Sequence, residues 1–226
     1  MTFSLTARCP ETGMLGMVIS SSSPAVAARC VHVRANVGAV ASQNITDPRL
    51  GQIGLDLLTR GLSATEVSDA LVASTPFIAY RQLAVVDAAG RTASYSGSGT
   101  LGVHATCTGE GAVATGNLLA NEQVPAAMIA AYQAASGSPF ADRLLTALAA
   151  GLDQGGEAGP VHSAGLYVVR EASWPIADLR VDWNDRPVVA LQELWAVYKP
   201  QLEDYVRRAR QPTDAPGFGV AGDTRI

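Results

Sequence analysis

Lysine is almost missing from this chain: Lys199 is the only one in 226 residues, and the remaining cations are scattered arginines. With 16 Lys and Arg against 20 Asp and Glu, the formal net charge is −4 and the pI about 5.3. No basic field is present to hold nucleic acid or an acidic lipid surface, so neither is expected as a partner. Cysteine is scarce too. Cys9, Cys30 and Cys107 are far apart and form no CxxC, which argues against a disulfide framework and a zinc site and fits free thiols in a reducing compartment. His32, His104 and His162 do not fall at metal-ligand spacing. No metal or other cofactor is expected. No apolar run approaches the roughly 20 residues that span a bilayer, and no basic-then-apolar signal region is present. The expected location is the cytoplasm.

What is abundant is small and apolar. Hydrophobic residues make up 48% of the chain and charged ones only 16%, below the usual quarter or so. That balance fits one compact domain over residues 1–210 with much buried surface, and a homodimer or larger homo-oligomer. The stretch from 211 to 226 has two Pro and three Gly and no packing pattern, and reads as an arm or flexible tail.

Along the chain, strands come in hairpins and helices in pairs. Residues 3–8 alternate, stop at Pro10-Glu11-Thr12-Gly13, and resume as a strand over 14–20, an antiparallel hairpin. Short strands follow over 31–35 and 39–43. A helix with Leu50, Ile53, Leu57 and Leu58 on one face comes next. A second starts at Ser63, with Glu66 completing a capping box. Strands are expected over 80–87, 91–96, 103–107 and 112–118, and helices from Pro125 to about 135 and from Pro139 to about 150. Residues 154–160 form a polar, Gly-rich loop. Strands over 163–170 and 179–183 precede a helix over 188–206 that Pro200 should bend. Paired helices and hairpins do not fit a doubly wound parallel sheet. They fit an α+β fold with two antiparallel sheets stacked face to face and helices on both outer faces, a four-layer αββα sandwich.

The chain opens Met1-Thr2-Phe3-Ser4, with a hydroxyl nucleophile at the head of the first strand. Removal of Met1 would give Thr2 a free α-amine beside its own hydroxyl, nucleophile and base in one residue. Thr is small enough for the cell's aminopeptidase to clear Met1. By itself, Met-Thr also fits a mere strand start.

A set of ordered segments narrows the choice. Thr2-Phe3-Ser4, residues 38–44 (GAVASQN), 47–51 (DPRLG), 80–87 (YRQLAVVD), 116–121 (GNLLAN), 161–166 (VHSAGL) and 178–182 (DLRVD) together resemble the family catalogued as domain of unknown function 1028, described as N-terminal-nucleophile (Ntn) hydrolase-like. The resemblance runs from Thr2 to about Tyr205. It implies the αββα sandwich and a nucleophile at Thr2, with no settled reaction. Relatives often carry Lys at the corner after the second strand, and threonine proteases use a nearby Lys to tune the amine. Here that corner is Ser21-Ser22-Ser23. The departure argues against a proteasome-like proton transfer. Either hydroxyls and water, Ser22 among them, relay the proton, or the nucleophile is not used.

Other candidates sit where strands end. Asn117, after Gly116, is the candidate oxyanion or substrate-holding group, against the simpler role of capping the next turn. Gln43 and Asn44 close a strand, one expected to face the site and the other to hold the loop. Arg49 and Arg81 could clamp a substrate carboxylate or tie loops together. His162 could protonate a leaving amine or be a satisfied structural residue. The function expected is hydrolysis of a C–N bond, amide, ureide or imine-like, in a small catabolic metabolite. The alternative is a non-catalytic metabolite-binding or scaffold module on the same fold.

Overall fold

The structure is a computed structural model that describes residues 2–223. Strand β1 (Thr2–Arg8) and strand β2 (Leu15–Ser21) form the expected hairpin, with Phe3 opposite Ser20 and Arg8 opposite Leu15. Gly13 turns it at φ +72°, a conformation glycine adopts without strain. A short helix not expected from sequence, α1 (Val26–Cys30), leads to β3 (Val31–Arg34) and β4 (Gly38–Asn44). Helices α2 (Pro48–Thr59) and α3 (Ala64–Ala73) follow. Asp47 caps α2, and Ser63 with Glu66 forms the anticipated capping box on α3.

Strands β5 (Arg81–Asp87), β6 (Thr92–Ser96), β7 (Ala105–Gly109) and β8 (Ala112–Asn117) come next. β7 starts later than expected. The Val103 carbonyl accepts the Leu119 N–H (2.9 Å) instead of a neighbouring strand, so residues 101–103 are drawn out of the sheet. Helices α4 (Val124–Ala134) and α5 (Phe140–Asp153) precede β9 (Ser163–Val169) and β10 (Ala177–Val181). The last expected helix is two, α6 (Pro187–Tyr198) and α7 (Leu202–Arg210), separated by a tight turn at Lys199–Gln201. Pro200 lacks the N–H that a continuous helix needs there. Of the tail, residues 211–223 carry no helix or strand, and Arg208 reaches back to the Pro216 and Gly217 carbonyls and the Phe218 ring.

The strands form two antiparallel sheets, one of six in the order β10-β9-β2-β1-β8-β7 and one of four in the order β3-β4-β5-β6. Side-chain alternation divides the core. Phe3 and Leu5 of β1 join Met128, Tyr132, Leu144 and Leu148 of α4 and α5. Val40, Leu83 and Val85 meet Leu50, Leu55 and Leu71 of α2 and α3. The faces that look at each other place Leu15, Met17, Val113 and Val169 against Ala41, Ala84 and Val86. Small side chains on the four-stranded sheet thus receive larger ones from the other. The fold is mixed α+β with β1 in the middle of the larger sheet, buried from Thr2 to Ala7.

Candidate functional site

At the head of β1 the filling between the sheets changes from apolar to polar. Thr2 is directly opposite Asn117 of β8, which puts their side chains on one face with Cβ atoms about 4.5–5.5 Å apart. The face is set by Ser4, two residues on, whose hydroxyl donates to Gln43 Oε1 of the opposite sheet at 2.7 Å. Thr2 is 3% exposed and Asn117 fully buried.

A ladder of amides runs from Ser4 to Asn117. Gln43 Nε2 (2.8 Å) and Asn117 Nδ2 (3.0 Å) both donate to Gln82 Oε1. Gln82 Nε2 donates to the Gly116 carbonyl and to Ser96 Oγ, each at 3.0 Å. The Gly116 carbonyl can only accept, so it fixes which end of Gln82 is nitrogen, and Asn117 and Gln43 must follow. Asn117 therefore spends one N–H inside the ladder and presents its Oδ1, which is buried and has no hydrogen-bond partner. Of the two roles considered for Asn117, this geometry suits substrate holding. An oxyanion role is left to its second N–H. Leu118, next along, adopts φ +50°, a left-handed conformation uncommon for a branched side chain. It ends β8 at Asn117.

The Gly-rich loop then closes the sheet end. Ala120 N–H donates to the Gly156 carbonyl (3.0 Å) and Ala158 N–H to the Leu118 carbonyl (2.9 Å), beyond β8. Farther along, His162 N–H donates to the Ser21 carbonyl (2.8 Å), at the end of β2. Since β1 lies between β8 and β2, residues 156–162 pass across its head. Gly156 sits so close to Phe3 that a Cβ there would come within 3.3 Å of the ring. Glu157 in this loop is 4% exposed. Its Oε1 accepts the Ser22 N–H at 3.0 Å, and its Oε2 is buried without a partner. Burial pushes the Glu157 carboxyl up. The Ser22 hydrogen bond, the positive charge of the chain's terminal amino group and, least, His162 oppose that shift without cancelling it.

The remaining candidates divide. Ser22 contributes its backbone N–H to Glu157. His162 stacks on Trp183 at 4.4 Å between ring centroids, and its Nδ1 lies 3.7 Å from Asp185 Oδ1, too far for a hydrogen bond. Gln43 faces the second sheet. Asn44 staples the loop instead, donating to the Tyr80 carbonyl (2.8 Å) and accepting the Leu101 N–H (3.2 Å). Arg49 is 82% exposed at its side chain and forks onto Asp47 at 2.9 and 2.7 Å. Arg81 donates to the Ile45 carbonyl, and alternation along β5 points it away from the face that carries Gln82. Neither arginine joins Thr2 and Asn117. Met1 lies outside the described residues.

Sequence reasoning missed Gln82, Ser4 and Glu157 as members of this cluster. Gln82 and Ser4 were within reach, since each shares strand parity with residues that face the other sheet. Glu157 gave no signal, because a carboxylate in a Gly-rich loop reads as solvent-facing.

Among the described residues, no group of three or more His, Cys, Asp or Glu could hold a metal ion, and no helix is long and apolar enough to cross a membrane. The head of β1 thus gathers a hydroxyl, an amide carbonyl and a buried carboxyl, groups of the kind that hold a small polar molecule through hydrogen bonds.

A family model described as a family of unknown function, DUF1028, matches residues 2–191. A crystal structure of a protein assigned to the same family, from Silicibacter pomeroyi, is 30% identical and superimposes with a TM-score of 0.84 over 92% of this chain and 94% of that one. Two Anbu (ancestral beta-subunit) structures also match. One, from Yersinia bercovieri, is 9% identical with a TM-score of 0.40, over 91% of this chain and 97% of that one. The other, a Gly-1 mutant from Hyphomicrobium sp. strain MC1, is 11% identical with a TM-score of 0.42, over 97% and 100%. No curated protein matches the chain. With most of its length matched by the family model and nearly all of it superimposed on a family structure, this chain belongs to the DUF1028 family of unknown function.

Proposed function

We propose that this protein hydrolyses a C–N bond in a small metabolite, with Thr2 as an N-terminal nucleophile on a four-layer αββα sandwich of the Ntn kind. The observation that carries the reading is the register pair Thr2–Asn117, buried at the head of a central strand and facing the second sheet. In this mechanism the α-amine of a processed Thr2, with an unperturbed pKa near about 8, takes the hydroxyl proton directly or through water. The Thr2 oxygen attacks the carbon of the C–N bond, the amine leaves, and water clears the resulting acyl-enzyme. Asn117 holds the substrate, and the ladder behind it fixes its orientation before the substrate arrives.

The test is a panel of amides, ureides and enamine-forming acids, with intact-mass measurement of each preparation. Thr2→Ala is expected to lower turnover by about a thousandfold or more. Full turnover in Thr2→Ala removes Thr2 as the nucleophile, and full turnover in a preparation that retains Met1 removes the Thr2 amine from the mechanism.

One observation favours the second reading, a non-catalytic metabolite-binding module. The only lysine, Lys199, is held by Asp142 of α5 at 2.7 Å, so no lysine stands beside Thr2 to tune its amine. Tight binding of a panel member without turnover in fully processed wild-type protein would select this reading.

A further inference from the structure

Two buried oxygens near the head of β1 have no hydrogen-bond partner. Asn117 Oδ1 belongs to the residue opposite Thr2, its orientation fixed by Gln82 and the Gly116 carbonyl. Glu157 Oε2 belongs to the loop that crosses the end of the sheet, its companion oxygen fixed by the Ser22 N–H. Asn117 is fully buried and Glu157 is 4% exposed, so bulk water does not satisfy them. A buried acceptor left alone costs about 1–3 kcal/mol, and more when charged. Such groups are rare and call for a partner, whether water, ion or ligand.

The pair also has a chemical sense. With Glu157 ionised, both free atoms are acceptors. A substrate carboxylate would meet a carbonyl oxygen and a carboxylate oxygen, and would be repelled by both. Neither Arg49, forked onto Asp47, nor Arg81, which donates to the Ile45 carbonyl, joins Asn117 and Glu157 to offset this. A group with N–H bonds directed to two sides would satisfy both at once.

We propose that the buried polar cluster at the head of β1 binds the N–H-bearing face of a ureide or amidine, one N–H donating to Asn117 Oδ1 and another to Glu157 Oε2. This rests on the functional reading above for the location of the site, and it selects among the substrates that reading allows. Ureides and amidines fit. Carboxylates, and amides fully substituted at nitrogen, do not.

Binding is measured by calorimetry on the full chain carrying Thr2→Ala, so that turnover does not interfere, with methylurea, acetamidinium and acetate as probes. Methylurea and acetamidinium are expected to bind at least about tenfold more tightly than acetate, a difference of about 1.4 kcal/mol. Glu157→Gln keeps an oxygen for the Ser22 N–H and turns an NH2 toward the pocket. It should reverse the order, weakening acetamidinium about tenfold or more and admitting acetate. Asn117→Leu removes the other acceptor and should weaken methylurea even if Glu157→Gln fails to fold. Acetate binding as well as methylurea in the parent overturns the proposal. So does acetamidinium binding that is indifferent to Glu157→Gln, the result expected if the Thr2 amine itself occupied Glu157. Retained turnover in Thr2→Ala would remove the nucleophile and leave this binding order standing, so the two ideas fail separately.

Discussion

Gln82 carries more of the site than any residue picked out in advance. Its side chain makes four hydrogen bonds, to Gln43, Asn117, Gly116 and Ser96, inside a region where unpaired polar groups are costly. Gln82→Met keeps the volume and strands two amide donors and one carbonyl. At about 1–3 kcal/mol for each buried group left unpaired, a loss of about 3 kcal/mol or more is expected, seen as a lower urea midpoint at unchanged slope. A change within 0.5 kcal/mol or so, the range of an inert surface site, would show that the ladder is not built this way. The ladder was half legible in the letters. Gln43 and Gln82 follow the same parity as Ala41 and Ala84, which face the other sheet, so both could be placed on the inner face. That they meet each other and Asn117 depends on how the two sheets are aligned, and no local pattern records that.

Among the elements, the join between β5, its hairpin turn and α3 depends on Asp87. Its carboxylate accepts the N–H groups of Ala64 (3.1 Å), Ala89 (2.9 Å) and Arg91 (3.0 Å), and the Arg91 guanidinium at 2.6 Å. Burial alone would raise this carboxyl. The Arg91 side chain and the three backbone donors outweigh burial and hold it below the usual carboxylate range. A carboxyl lowered on folding stabilises the native state above its unfolded pKa of about 3.9, and that contribution is lost as pH falls through the folded value. Asp87→Asn is expected to cost about 1–3 kcal/mol at pH 7. The gap between wild-type and variant melting temperatures should narrow below about pH 4. A gap that stayed constant into acid would count against this role. Sequence showed the start of α3 through Ser63 and Glu66, a signal within four residues. It did not show Asp87 reaching the same helix, because the residues that meet there are far apart in the chain.

For the molecule as a whole, the hairpins could be anticipated and the order of strands could not. β1 and β2 are neighbours in sequence and in space, but the other flank of β1 belongs to β8 and the other flank of β2 to β9. Such distant pairings form only after long loops close, and they leave no local trace. This ordering gives the start of the chain a timetable. β1 is made first, yet its flank stays open until residues 112–117 arrive. At about 5–20 residues per second, synthesis leaves about six seconds or more between Thr2 and Asn117. Once β8 docks, Thr2 is sealed at 3% exposure. If Thr2 is the nucleophile, trimming of Met1 is expected to be easier before β8 docks than after Thr2 is buried. Folded protein that retains Met1 should resist a methionine aminopeptidase in an intact-mass time course, and the same sample opened in mild urea should be trimmed. Equal trimming of the two would show that the door never closes.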